Sequence, residues 1–277
     1  MAHPHLRHFG FWLIGLLLAA TAVADEPAEL SSAARRERLS RLRTHLLKFQ
    51  PELTAPDGAV AVTMLNEPSL LYADNARELS DASLWIWEHE GRPVAPSAIE
   101  FRRKDGDAGV WSFEFAVLSP RAMQVVLPNR QWSIVESGTV TPKIANGPQA
   151  AATRGERLLQ MRRLADRFAA GSVSKVQGRL ELRRLASPIY RQPETASGDG
   201  AVFVFANGTN PEVLLWLQTA DMKQWTYRLP PVAGDALAVR LDDREVWTAP
   251  TYAGPGSRTN YSNGRLMTQE QFEQRVP

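Results

Sequence analysis

The chain has 277 residues, with 32 Lys and Arg against 30 Asp and Glu, a net charge of +2 and no cysteine. That balance excludes broad electrostatic attraction to nucleic acid or anionic lipid. The missing cysteine excludes disulfides, thiol catalysis and Cys-based zinc sites.

The chain opens with a short, potentially basic stretch (His3, His5, Arg7, His8), an apolar run from Phe9 to Ala20, and Thr21-Ala22-Val23-Ala24 before Asp25. Small residues at the last positions suit a signal peptidase. The apolar stretch, about 16 residues, is shorter than the roughly 20 needed to span a bilayer. Residues 1–24 are therefore expected to be a signal peptide cleaved near Ala24/Asp25, delivering a secreted or periplasmic protein. Contact with a membrane is expected only through that segment before cleavage. An exported domain without disulfides must rely on its core. Beyond the signal, only His45 and His89 remain as histidines.

The first element predicted after the signal is a helix over Arg35–Phe49, with Leu39, Leu42, Leu46 and Phe49 on one face and arginines on the other. An offset of 119 residues brings Arg35, Glu37, Arg38, Leu39, Arg43 and Phe49 onto identical residues of Arg154–Phe168. Its stripe is Leu158, Met161, Ala165 and Phe168, and Gly171 reads as a helix stop. The correspondence continues. Tyr72 precedes Trp87, and Tyr190 precedes Phe205, by the same 15 residues, and Trp111-Ser-Phe-Glu-Phe115 answers Trp225-Thr-Tyr-Arg-Leu229. This order along two halves predicts an internal duplication.

Short strands separated by turn signals are predicted in each half. In the first they are Ala59–Met64, Leu84–Trp87, Ile99–Arg102, Trp111–Leu118, Met123–Leu127 and Trp132–Val135. In the second they are Arg179–Leu185, Ala201–Phe205, Val213–Thr219, Trp225–Leu229, Ala236–Leu241 and Glu245–Trp247. Asp105-Gly-Asp-Ala-Gly109 and Asp242-Asp243 read as hairpin turns. Connections this short favour antiparallel pairing. The expected fold class is α+β: two tandem repeats, each an amphipathic helix packed on a curved antiparallel sheet. The boundaries are 25–141 for the first repeat, 142–153 for a linker, 154–252 for the second and 253–277 for a tail, in which Thr268–Arg275 suits a short capped helix.

Several segments carry a likeness: Arg157-Leu-Leu-Gln-Met-Arg-Arg-Leu-Ala-Asp-Arg-Phe168, Glu181-Leu-Arg-Arg-Leu-Ala-Ser-Pro-Ile-Tyr190 and Asp199-Gly-Ala-Val-Phe-Val-Phe205. Asn207-Gly-Thr-Asn-Pro-Glu-Val-Leu-Leu215 and Val239-Arg-Leu-Asp-Asp-Arg-Glu-Val-Trp247 extend it. The chain resembles uncharacterised secreted proteins of planctomycete bacteria, closely over its second half and more loosely around Ala82–Pro93. The resemblance implies no activity, cofactor or catalytic residue.

Candidate sites are few. Glu88-His89-Glu90 supplies too few ligands for a metal site and reads as a solvated hairpin tip. His45 falls at the edge of the helix's apolar stripe. Ser172-Val-Ser-Lys175 has the Ser-x-x-Lys spacing without companion motifs. Asp105-Gly-Asp107 lacks the ligands of a calcium loop. Asn207-Gly-Thr209 and Asn260-Tyr-Ser262 match the glycosylation sequon. Glu114, inside a strand pattern, is the carboxylate to watch, with Arg228 as its counterpart across the repeat and as a candidate ion-pair partner. The tryptophans recur at matching strand positions, which fits core packing better than an aromatic binding face.

No catalytic residue is assigned, and no cofactor or metal is expected. The leading expectation is a non-enzymatic binding or interaction protein of the cell envelope or exterior. Its partner would be an envelope protein or a polysaccharide, and not nucleic acid. The alternative is a hydrolase using a carboxylate pair in a cleft between the repeats.

Overall fold

The computed structural model describes residues 32–102, 109–128, 130–134, 141–175, 177–194 and 198–274. The expected signal peptide and the turn residues Asp105–Ala108 lie outside the described residues. All the strands belong to one compact unit, Leu39–Pro277; of the unit that precedes it, only residues 32–38 are described.

The first half runs α1 (Ser32–Leu47), β1 (Glu52–Ala55), β2 (Gly58–Ala61), β3 (Thr63–Met64), β4 (Leu70–Asp74), β5 (Leu79–His89), β6 (Arg92–Arg102), β7 (Val110–Ala116), β8 (Met123–Leu127) and β9 (Arg130–Ile134). The second runs α2 (Arg154–Ala165), β10 (Phe168–Ser174), β11 (Gly178–Arg184), β12 (Tyr190–Arg191), β13 (Asp199–Asn207), β14 (Asn210–Thr219), β15 (Thr226–Arg228), β16 (Ala236–Leu241) and β17 (Arg244–Ala249). The chain then adds β18 (Tyr261–Thr268) and α3 (Gln269–Glu273).

The expected α+β fold of two helix-on-sheet repeats does not form. Strands hold 51 % of the described residues and helices 16 %, and these strands build three antiparallel sheets. The sheet orders are β2-β1-β8-β9, β18-β7-β6-β5-β3 with β4 on β5, and β15-β14-β13-β11-β10-β16-β17 with β12 on β13. Three features account for the difference. Strands of the first half divide between two sheets. The counterparts in the second half join into one sheet, because β11 also pairs with β13. The last strand, β18, returns from the Gly-, Asn- and Ser-rich tail to pair along the whole of β7. Within these sheets the pairing order β2-β1-β8-β9 parallels β11-β10-β16-β17, and β4, β5, β6 and β7 pair as β12, β13, β14 and β15 do.

Side-chain alternation explains how the sheets stack, because successive strand residues point to opposite faces. On β5, Trp85 and Trp87 enter one core with Leu42, Leu46 and Phe49, while Leu84 and Ile86 enter another. On β13, Phe203 and Phe205 pack with Met161 and Leu164 of α2, while Val202 and Val204 face the other way. The outward faces of the two central hairpins, β5–β6 and β13–β14, meet in a shared third core with Tyr72, Leu214, Trp216 and Tyr261. That is why Leu84–Trp87 and Ala201–Phe205 are apolar on both faces.

Helix α2 starts on a capping box: the Thr153 hydroxyl accepts from Glu156 N–H, and the Glu156 carboxylate accepts from Thr153 N–H, both at 3.3 Å. It ends at Ala165, so Gly171 is no helix stop; it sits within β10, where a Cβ would come 3.1 Å from the Leu180 carbonyl. The segment expected to be a linker is tied down, with Ile144 N–H donating to Trp225 O and Tyr227 N–H to Pro142 O.

Candidate functional site: a carboxylate cleft between the central sheets

At one end of the shared core the apolar lining gives way to acids. Glu114 on β7 has the parity of Ala116, and Glu100 on β6 that of Ala98, so both carboxylates share the face that packs toward β14. Glu212 on β14 has the parity of Leu214 and Trp216 and comes from the opposite sheet. Burial of three carboxylates is costly unless each is hydrogen-bonded or neutralised.

Glu100 uses both oxygens. Oε1 accepts from the Tyr72 hydroxyl at 3.0 Å and Oε2 from Arg102 Nη2 at 2.9 Å. Glu114 Oε1 accepts from the Tyr261 hydroxyl at 2.9 Å, and Tyr261 in turn accepts from Asn263 Nδ2 at 3.0 Å. Arg77 serves the third acid. Its Nη1 donates to Glu212 Oε1 at 2.6 Å and its Nη2 to Asp235 Oδ2 at 2.9 Å, while Nε lies 3.6 Å from Asp74. Asp74 also accepts from Asn210 Nδ2 at 3.0 Å.

This crowding fixes protonation. Burial first, and then the charge of Glu100, hold the Glu114 carboxyl well above the usual carboxylate range, against the pull of the Tyr261 hydrogen bond and Arg102. The shift favours the neutral acid form of Glu114. Burial likewise pushes Glu212 up to about 7, although Arg77 draws it down. Tyr72 and Tyr261, raised well above their usual range by burial and by these acids, remain hydroxyl donors.

The cleft so formed has a volume of about 230 Å³. Three acids (Glu100, Glu114, Asp235) and three bases (Arg77, Arg102, Lys175) line it, together with the amides of Asn210 and Asn263. It draws on both halves of the chain.

Glu114 therefore lies in the cleft, but it does not pair with Arg228. That arginine sits on β15, donates to Leu118 O at 3.1 Å and stacks over Trp216. The Glu88-His89-Glu90 tripeptide is split. Glu88 Oε2 lies 2.6 Å from the Tyr190 hydroxyl, whereas His89 and Glu90 face each other at 3.9 Å. Among the described residues no cluster of three or more His, Cys, Asp or Glu side chains is placed to hold a metal ion. Ser172 lies within β10 and Lys175 in the turn that follows it, and the two line different clefts, so no Ser–Lys dyad forms. His45 is half-buried near Phe272, and desolvation followed by Lys48 lowers its pKa. Asn207 of the first sequon donates to Gln177 Oε1 at 2.7 Å, and Ser262 of the second accepts from Arg130 at 2.6 Å. Trp85, Trp87, Trp111, Trp216 and Trp225 are buried in the cores.

Sequence reasoning missed Glu100 and Glu212. Each is a charge at a core-facing position of an otherwise apolar strand, in Ala98-Ile-Glu-Phe and Pro211-Glu-Val-Leu-Leu-Trp. No protein-family model, curated protein or solved structure matches the chain.

Proposed function

We propose that the protein is an exported, non-enzymatic binding protein of the cell envelope or exterior that seats a polyhydroxylated ligand, such as a cell-wall polysaccharide, in the carboxylate cleft. Export rests on the signal-like residues 1–24. The equal order of strand pairing supports the reading that the two halves arose by duplication, with the cleft between them. One observation carries the binding reading: Glu114, whose burial favours the neutral acid, shares the cleft with amide, guanidinium and ammonium donors and with carboxylate acceptors. Hydroxyl groups, which donate and accept at once, match such a mixed lining better than a single charge does. Glu100 has spent both oxygens within the protein, which leaves it poorly placed as a nucleophile.

A second reading is favoured by the same acids. A protonated Glu114 beside Glu100 is the pairing of general acid and carboxylate that a glycoside hydrolase needs. Retention of the purified protein on immobilised cell-wall polysaccharides, compared with Glu114→Gln and Glu114→Leu, separates the two. Binding predicts retention without new reducing ends, kept in Glu114→Gln, whose amide N–H replaces the acid O–H, and weakened about tenfold in Glu114→Leu by loss of a donor worth ~1.4 kcal/mol. New reducing ends that vanish in Glu114→Gln establish the hydrolase.

A further inference from the structure

A second pocket lies at the other end of the same interface. Asn210, beside the carboxylate cleft, and Gln218, in this pocket, are eight residues apart on β14, roughly 27 Å along the strand. The pocket measures about 310 Å³. Three arginines from three separate segments line it: Arg92 from the β5–β6 hairpin, Arg121 from the loop before β8, and Arg228 from β15.

Arg228 is the unusual member. It is only 7 % exposed, yet it forms no ion pair among the described residues. Nη1 donates to the Leu118 carbonyl at 3.1 Å, the guanidinium stacks 5.1 Å from the centre of the Trp216 ring, and Nε is buried without a partner. Its charge is opposed rather than compensated: desolvation, and then neighbouring Arg92, lower its pKa to about 10. Arg121 bonds through Nη2 to the Thr54 carbonyl, and Arg92 meets no acceptor among the described residues. The lining carboxylate, Glu90, is exposed and turned toward His89. A buried cation without a counter-charge is expensive to hold, and an apolar side chain of similar volume would avoid that cost. The chain nevertheless places an arginine here, stacked and oriented by Trp216.

We propose that this pocket binds a tetrahedral oxyanion group, a phosphate or sulfate ester carried by a small molecule or polymer. Guanidinium forks match the paired oxygens of such groups. Three arginines around one pocket suit a group with three free oxygens better than a carboxylate with two. The anion supplies the charge that Arg228 lacks, and the stacked Trp216 holds the guanidinium ready for it. The oxyanion pocket is independent of the function proposed for the carboxylate cleft.

The test is calorimetric titration of the purified protein with inorganic phosphate, inorganic sulfate and acetate at one ionic strength, with Arg228→Gln and Arg92→Ala as variants. The expected result is one site that prefers phosphate or sulfate over acetate at least tenfold and loses at least tenfold in affinity in each variant. Arg92 is exposed and free of protein acceptors among the described residues, so Arg92→Ala keeps the fold and decides the matter alone if Arg228→Gln does not fold. A melting temperature raised by the bound oxyanion in the wild type, and raised less in Arg92→Ala, supports the site as well. No binding of phosphate or sulfate, equal binding of acetate, or affinity untouched by Arg92→Ala overturns it.

Discussion

Arg157 shows how a single buried charge is held in this protein. It is 0 % exposed, and its Nε donates to Asp199 at 2.7 Å. The remaining donors close on Glu194 and on the carbonyls of Ala151 and Ala152. Asp199 is equally buried and also meets Arg191. Arg157→Met removes one member of a buried network and is expected to cost about 3–5 kcal/mol, read as a lowered urea midpoint. Glu212 carries the opposite liability. Its folded pKa of about 7 lies above the ordinary 4.5, so the folded state binds the extra proton between those values and stability falls as pH rises through that window. The loss is roughly 3 kcal/mol by pH 8. Glu212→Gln is expected to flatten this dependence when melting temperatures at pH 5 and pH 8 are compared. His45, whose lowered pKa favours the fold as pH rises, and Glu114, whose raised pKa disfavours it, titrate in both proteins, so the difference between wild type and variant is what reports Glu212. At this scale Glu114 was legible because Trp111-Ser-Phe-Glu-Phe115 places an acid opposite a fully apolar face. Its partners were not, because Tyr261 lies 147 residues away.

At the scale of elements, strong local signals read correctly and weak ones did not. Strands β8 and β16 have the bounds the alternation predicts, Met123–Leu127 and Ala236–Leu241. Asp242 and Asp243 adopt the positive φ, 49° and 63°, that a tight hairpin turn demands. Strands β1 and β10 escape a sequence reading because Glu52-Leu-Thr-Ala and Phe168-Ala-Ala-Gly-Ser are short or rich in small residues. Their pairing comes from partners far along the chain. The same holds for β18, whose composition argues for a loop and whose strand exists because β7 offers an open edge. Local caps can be tested directly. Thr153→Ala breaks the box at the start of α2 and is expected to cost ~1 kcal/mol in thermal or chemical unfolding. Truncation after Asn260 removes β18 and α3, strips Trp111 of its bond to Gln269 and its contact with Phe272, and bares the edge of β7. The shortened chain is expected to aggregate on size-exclusion chromatography; a monomer with unchanged melting temperature would show that β18 is dispensable.

For the whole molecule, the lesson lies in what the apolar strands face. Runs apolar on both sides point to central strands with a twin sheet beyond them, and the β5–β6 and β13–β14 hairpins do meet in one core. The two amphipathic helices are far less than half of the architecture, because α1 and α2 each cover part of a sheet and most of the packing is sheet on sheet. The interface also leaves two polar ends, one rich in carboxylates and one in arginines, a polarity invisible in a chain whose charges nearly cancel. The central claim is that the carboxylate end binds a polyhydroxylated ligand without altering it. Its most direct test is a titration of solubilised cell-wall polysaccharide into protein carrying carboxyl-labelled glutamate, followed by carbon NMR. The polysaccharide is then recovered for mass spectrometry. The expected result is a saturable shift of the Glu114 carboxyl signal and polysaccharide returned at its original chain length. Shortened chains, or a Glu114 signal that no polysaccharide moves, would contradict it.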